Sequence, residues 1–167
     1  MIAIAERLFG ILALVAILVA IGTSILLVRG RVPDWLRDDV ALPLATAIAA
    51  TASGGSLLLS EVAGYLPCEL CWYQRIAMYP LVVILTVATV RGDREVWRTV
   101  LPLTAIGSAV AVWHILIENN PAWGGPCSDA APCTIIWVEE LGFLTLPTMA
   151  LIAFVAVSVL SLAARRD

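Results

Sequence analysis

The sequence predicts an all-α, polytopic membrane protein with five spanning helices. Three observations carry that reading. Of 167 residues, 61% are hydrophobic and only 14% charged, with a mean hydropathy of +0.97, whereas a soluble domain is about 45–50% apolar and about 25% charged. The apolar residues gather into long uncharged runs, and the arginines fall mostly between alternate runs. The same composition excludes a disordered chain, and a net charge of −3 without basic blocks gives nothing for a nucleic acid to bind.

A spanning helix needs about 20 apolar residues, because each adds about 1.5 Å across a hydrocarbon core of about 30 Å. Leu8–Val28, Val40–Ser60, Thr99–Ile117 and Leu141–Ala164 meet that requirement unaided. The first could instead be a cleaved signal peptide, with Ala20-Ile21-Gly22 as a small-x-small site. Its apolar run is long for that role, and its basic flank is only Arg7 beside Glu6. Cleavage would also invert everything downstream, so the helix is read as retained. Ile76–Val90 has only 15 residues. It spans if its helix begins near Cys71 or Cys68, which puts Trp72 and Tyr73 at the interface and Arg75 near the headgroups. Within the helices, Gly54-Gly55 with Ser53 and Ser56 would admit a close neighbour. Pro80, Pro102 and Pro147 read as tolerated kink sites.

Orientation follows from the arginines. Connections 29–39 and 91–98 with the C-terminal tail hold eight of them; residues 1–7, 61–75 and 118–140 hold two. The positive-inside rule makes the first set cytoplasmic. The expected protein is therefore a multi-pass cell-membrane protein in contact with lipid, with its N-terminus outside and its C-terminus inside. All four cysteines then lie in extracytoplasmic connections.

Two close cysteine pairs result, Cys68-Glu69-Leu70-Cys71 and Cys127 with Cys133. On an oxidising face, structural disulfides are one reading. A four-cysteine zinc site is a second, weakened by the five residues between Cys127 and Cys133, and no metal is assigned. Thiol–disulfide exchange is the third, and local chemistry favours it for the first pair. A two-residue gap closes too small a ring to be a useful staple. Sulfurs at a helix N-terminus have their thiolates favoured by the dipole. Arg75, one turn beyond Cys71, would stabilise an anion there; an arginine at that depth is a functional candidate, unless it merely snorkels toward Glu69. The second pair lies in a Pro- and Gly-rich connection, 119–140, expected to lack regular structure before Thr134 and suited to presenting sulfur to a partner. Thr134–Glu140 reads as a short helix on the membrane surface. His114 is the single histidine, near the outer end of the fourth helix with Glu118 one turn on. It is either part of a site or a histidine facing headgroups.

Pro67-Cys68-Glu69-Leu70-Cys71-Trp72-Tyr73-Gln74-Arg75-Ile76, followed by Met78-Tyr79-Pro80-Leu81, resembles the signature of the DsbB family, above all its BdbC branch. Cys133-Thr134-x-x-Trp137 and Gly142-Phe143-x-Thr145-x-Pro147 resemble that branch too. The likeness covers residues 40–167 and implies a four-helix bundle of DsbB type. Residues 1–39 then form one additional N-terminal transmembrane helix, packed outside the bundle, and a cytoplasmic linker. It also implies a quinone reductase that reoxidises a thioredoxin-like partner of the DsbA or BdbD type. In that scheme the partner attacks Cys127, Cys133 exchanges with Cys68, and Cys71 passes electrons to ubiquinone or menaquinone. Arg75 and His114 would hold the quinone. A relative of vitamin K epoxide reductase is the alternative enzyme, although its CxxC lies late in the bundle. A scaffold with structural disulfides or zinc is the non-enzymatic one.

Overall fold

The computed structural model describes residues 2–123, 127 and 131–165. The described residues form five α-helices: α1 (Ile2–Val28), α2 (Ala41–Glu61), α3 (Glu69–Arg91), α4 (Trp97–Asn119) and α5 (Leu146–Ala163). Each is long and apolar enough to cross a membrane, so the chain is a multi-pass membrane protein. A π-helical turn, Leu36–Val40, leads into α2. The helices alternate in direction. One end of the bundle therefore gathers the starts of α1, α3 and α5 with the ends of α2 and α4, and this end carries the cysteines.

Helices α2 to α5 form a closed ring in which α2 packs on α3, α3 on α4, α4 on α5 and α5 on α2. Their core holds Leu42, Ala45 and Ala49 of α2, Leu81 and Leu85 of α3, Val100 of α4, and Phe154, Val157 and Leu160 of α5. The lipid tails outside are as apolar as this core, so association depends on close packing rather than on hydrophobic burial. Small residues supply it. Gly107 of α4 lies so near Phe154 that an added Cβ would overlap the ring. As expected, α1 packs outside the ring, against α5. It does so through Ala13, Ala16, Ala20 and Thr23, a buried stripe of small side chains at helical spacing. The Gly54-Gly55 step admits a neighbour as anticipated: Phe9 of α1 lies where a Gly55 Cβ would be, 2.8 Å away.

The short third span begins at Glu69 with Cys68 as its N-cap, at the upstream position its length demanded. Two expectations fail around residue 140. Leu141 does not start the last helix, because Leu141 (φ 57°) and Gly142 (φ 77°) lie in the left-handed region, which a right-handed helix excludes. They turn the chain between two short antiparallel strands, β1 (Glu139–Glu140) and β2 (Leu144–Thr145). Pro147 consequently stands in the first turn of α5, where a missing N–H costs nothing, and is not a mid-helix kink. Nor do residues 134–140 form a surface helix. The β-branched Thr134, Ile135 and Ile136 are poor helix formers, and the segment runs into β1. Residues 124–126 and 128–130 of the long connection, and Arg166, lie outside the described residues.

Gly107→Ala should destabilise the bundle by about 1–3 kcal/mol, the usual cost of overfilling a packed contact. Thermal denaturation in detergent should show a lower Tm, largely restored by adding Phe154→Leu. An unchanged Tm in the single variant would mean that α4 and α5 have room to spare.

Candidate redox centre

The centre begins as a helix cap. Cys68 is extended (φ −71°, ψ 172°), and its Sγ accepts a hydrogen bond from the Cys71 backbone N–H at 3.3 Å. It occupies the place that Ser or Asp usually takes at a helix start. The Cys71 Sγ lies 3.0 Å from the Cys68 Sγ, and both are free thiols. Cys127 and Cys133 are joined as a disulfide, with Cα atoms 5.8 Å apart. Cys133 is buried and Cys127 half-buried. All four cysteines belong to one cluster with Leu70 and Ile117.

His114, buried on α4, completes the cluster. Its Nε2 stands 3.7 Å from the Cys68 Sγ, and its Nδ1 is 3.1 Å from the Gln74 side-chain nitrogen. With the Gln74 amide donating to Nδ1, the proton of a neutral ring is on Nε2, directed at sulfur. A ring nitrogen of His114 and the sulfurs of Cys68 and Cys133 all lie within 4.8 Å of one another. The loop disulfide thus meets the helix pair through Cys133 and Cys68. These three donors do not suit zinc while Cys133 is held in the disulfide, since two ligands remain where a structural site takes four.

The surroundings favour a thiolate at Cys68. The hydrogen bond from the Cys71 thiol is the largest influence; His114 adds to it, burial opposes both, and the net effect is to lower the Cys68 pKa to about 4.

Arg75, one turn on from Cys71, faces α2. It is buried, donates from Nε to the Ser56 Oγ (2.9 Å) and from Nη2 to the Ser56 carbonyl (3.0 Å), and stacks 5.1 Å over Trp72. It therefore turns inward to α2 and does not snorkel toward Glu69. Cys71, Gln74 and Arg75 line a cavity of about 330 Å³ that runs between α1, α2, α3 and α5. Its polar end is set by Arg75 and Ser56, and the rest is mostly apolar. His114 does not line this cavity; it stands on the cysteine side. Sequence reasoning gave no role to Gln74, although it falls between Cys71 and Arg75 in the cysteine motif. It also missed Ser56, whose only signal was its place among small residues.

The DsbB family model, described as "Disulfide bond formation protein DsbB", matches residues 38–164. The chain belongs to the DsbB family. Disulfide bond formation protein C of Bacillus subtilis is 46% identical over 112 residues, covering 66% of this chain and 81% of the relative. A probable disulfide formation protein of Oceanobacillus iheyensis is 44% identical, covering 70% and 82%. One from Metapseudomonas resinovorans is 40% identical, covering 71% and 85%. No solved structure matches. This DsbB-family chain is a disulfide-formation membrane protein whose α1 lies outside the matched region.

Iodoacetamide alkylation of Cys68, in reduced protein carrying Cys127→Ser and Cys133→Ser, should vary little between about pH 6 and pH 8, because the thiolate is already formed. Cys71→Ala should move the midpoint upward more than His114→Ala does. A native midpoint near the ordinary thiol value of about 8.5 would remove the thiolate from the argument.

Proposed function

We propose that the protein reoxidises a thioredoxin-like partner of the DsbA or BdbD type and delivers the electrons to a membrane quinone. One observation carries the reading: a half-buried disulfide, a thiol pair of buried Cys68 and half-buried Cys71, and an arginine-ended, mostly apolar cavity follow one another in contact. Free thiols 3.0 Å apart at Cys68 and Cys71 suit exchange better than a structural staple.

The sulfur chemistry balances as two electrons and two protons per cycle. A partner thiolate attacks Cys127, the more accessible sulfur, and Cys133 leaves as thiolate. The partner's second thiolate attacks its own mixed-disulfide sulfur, so the partner departs oxidised and Cys127 departs as thiolate. When Cys68 and Cys71 are joined, the Cys133 thiolate attacks Cys68 and releases Cys71. Cys127 then closes on Cys133, leaving an oxidised loop and a reduced helix pair, the arrangement described above. His114 donates toward the Cys68 sulfur and favours its departure as an anion. The cavity suits a quinone: it is apolar, within the usual range for small-ligand sites, and ends in guanidinium donors beside Cys71. Bound there, a quinone (ubiquinone or menaquinone) supplies an acceptor for two electrons and two protons. Arg75 would hold its ring oxygen and favour the Cys71 thiolate, with Ser56 fixing the guanidinium. His114, assigned to the quinone by resemblance, acts in this reading on the exchange side of Cys68. In this reading the cysteine end faces outward, with the N-terminus outside and the C-terminus cytoplasmic, which the arginine distribution supports.

Purified protein, reduced partner and quinone should give quinone reduction. Arg75→Met should raise the apparent KM for quinone by about tenfold or more, as expected for losing a charged hydrogen bond. Partner trapping on Cys127 in a Cys133→Ala background should be unchanged by it, and Arg75→Lys should recover part of the loss. Native quinone kinetics in Arg75→Met would remove Arg75 from the site, and no quinone reduction by the native protein would sink the function.

Orientation has its own measurement. In a cysteine-free background, an impermeant maleimide added to intact cells should label Asp129→Cys and spare Arg94→Cys. The converse pattern would invert the protein.

A further inference from the structure

Helix α1 lies outside the family match and contributes none of the sulfur chemistry. Its position is nevertheless specific. Leu12, Val15 and Val19 of α1 line, with Leu44 and Ile48 of α2, the same cavity that Cys71 and Arg75 line. The lining of α2 runs from Leu44 to Ser60, about 24 Å of helix at about 1.5 Å per residue. The cavity is therefore a long slot, most polar at the redox end and mostly apolar along the remainder. Leu12 and Val15 are well exposed, so its α1 side borders lipid.

The redox end of α1 is tied down three ways. Phe9 fills the notch over Gly55, and Gly10 allows Glu140 to approach to 3.4 Å of an added Cβ. Glu6 accepts a hydrogen bond from the Tyr65 hydroxyl. Tyr65, three residues before Cys68, stacks on Trp137, four residues after Cys133, with ring centroids 5.1 Å apart. Both rings line the slot. A helix packed loosely on a bundle for anchorage alone would need none of these contacts.

We propose that α1 is the outer wall of the quinone site, holding the isoprenoid tail of a quinone whose ring lies by Cys71 and Arg75. The proposal rests on the quinone reading above and adds a determinant of tail recognition that the four-helix bundle lacks. The occupant is chosen by continuity: a slot that is apolar along its length and ends at a thiol and a guanidinium matches a redox ring carrying a hydrocarbon chain. A phospholipid acyl chain matches only the apolar part.

Two measurements test it on the full chain in nanodiscs. A quinone with a photoreactive group in its tail should label the tryptic peptide between Arg7 and Arg29, and excess unlabelled tailed quinone should suppress that labelling. Separately, Leu12→Trp fills the slot from its exposed side, away from the α5 contact. Quenching of intrinsic fluorescence should then report about tenfold weaker binding of polyprenylated quinone, the lower part of the range that overfilling a packed space costs. Binding of the same ring with a methyl group in place of the tail should stay within about twofold. Saturable binding and native Arg75 dependence without α1 labelling, or equal weakening of tailed and tail-less quinones, would overturn the α1 wall and leave the quinone reading intact. Labelling of α1 by a photoreactive phospholipid that tailed quinone fails to displace would give the slot to lipid and overturn it too. Absence of any saturable quinone binding by the native protein would defeat both readings together.

Discussion

A sulfur anion held at the mouth of a membrane bundle has to be enclosed by donors, and the cysteine end is arranged around that demand. Cys68 has no polar solvent to lean on, being almost wholly buried. It receives the Cys71 backbone N–H, the Cys71 thiol and the His114 ring instead. Each donor comes from a different structural cause. The N–H is one of the orphan groups that every helix start leaves unpaired, and the thiol lies one turn along the same helix. His114 arrives because α4 runs antiparallel to α3 and ends where α3 begins. An unpaired charge at that site would be far more costly than a neutral thiol. The reactivity of Cys68 and the packing of α3 on α4 are thus one problem with one solution.

Arg75 poses the mirror-image demand. A guanidinium nearly two turns into a spanning helix is expensive in hydrocarbon, and here its donors meet the hydroxyl and carbonyl of Ser56 while its face lies over Trp72. The run Ser53-Gly54-Gly55-Ser56 makes α2 slender where both Arg75 and Phe9 come in. Bulkier residues there would close the slot and expel the arginine. Enclosure by α1 then raises the local strength of the guanidinium's field, because a low dielectric screens it less than water does.

The elements written in length and composition were legible in the sequence. Five apolar runs correspond to five helices, and the shortness of Ile76–Val90 predicts a start near Cys71 or Cys68; α3 begins at Glu69, with Cys68 as its cap. The last helix was misjudged at its start, since hydropathy is continuous across Leu141 whereas the backbone is not. Thr134–Glu140 was misjudged because its amphipathic composition suits a surface helix, while the pairing of Glu139–Glu140 with Leu144–Thr145 is a contact that only the fold provides. The cysteines stood out as two close pairs in the connections, and Arg75 because a charge is rare in a membrane helix. Ser56, Gln74 and the pairing of Glu6 with Tyr65 did not. A serine among small residues, an amide and a short acidic–aromatic contact across 59 positions acquire meaning only from what they touch.

The two halves of the chemistry are separated by the geometry of one helix. Cys71, Gln74, Arg75 and Met78 recur at spacings of three and four, so α3 presents them together along the slot. Cys68, at the cap and outside the helical repeat, turns away to His114 and Cys133. A bond between Cys68 and Cys71 would therefore join two faces: one open to protein disulfides, the other to an apolar acceptor. In the proposed function this arrangement would keep the acceptor side away from the loop disulfide, so that electrons leaving the loop would pass through the helix pair. Gln74 touches both faces, lining the slot while its amide holds the His114 ring. Its reach fixes the spacing between the exchange side and the acceptor side, and a shorter side chain at position 74 would leave His114 free to rotate away from the sulfur it serves.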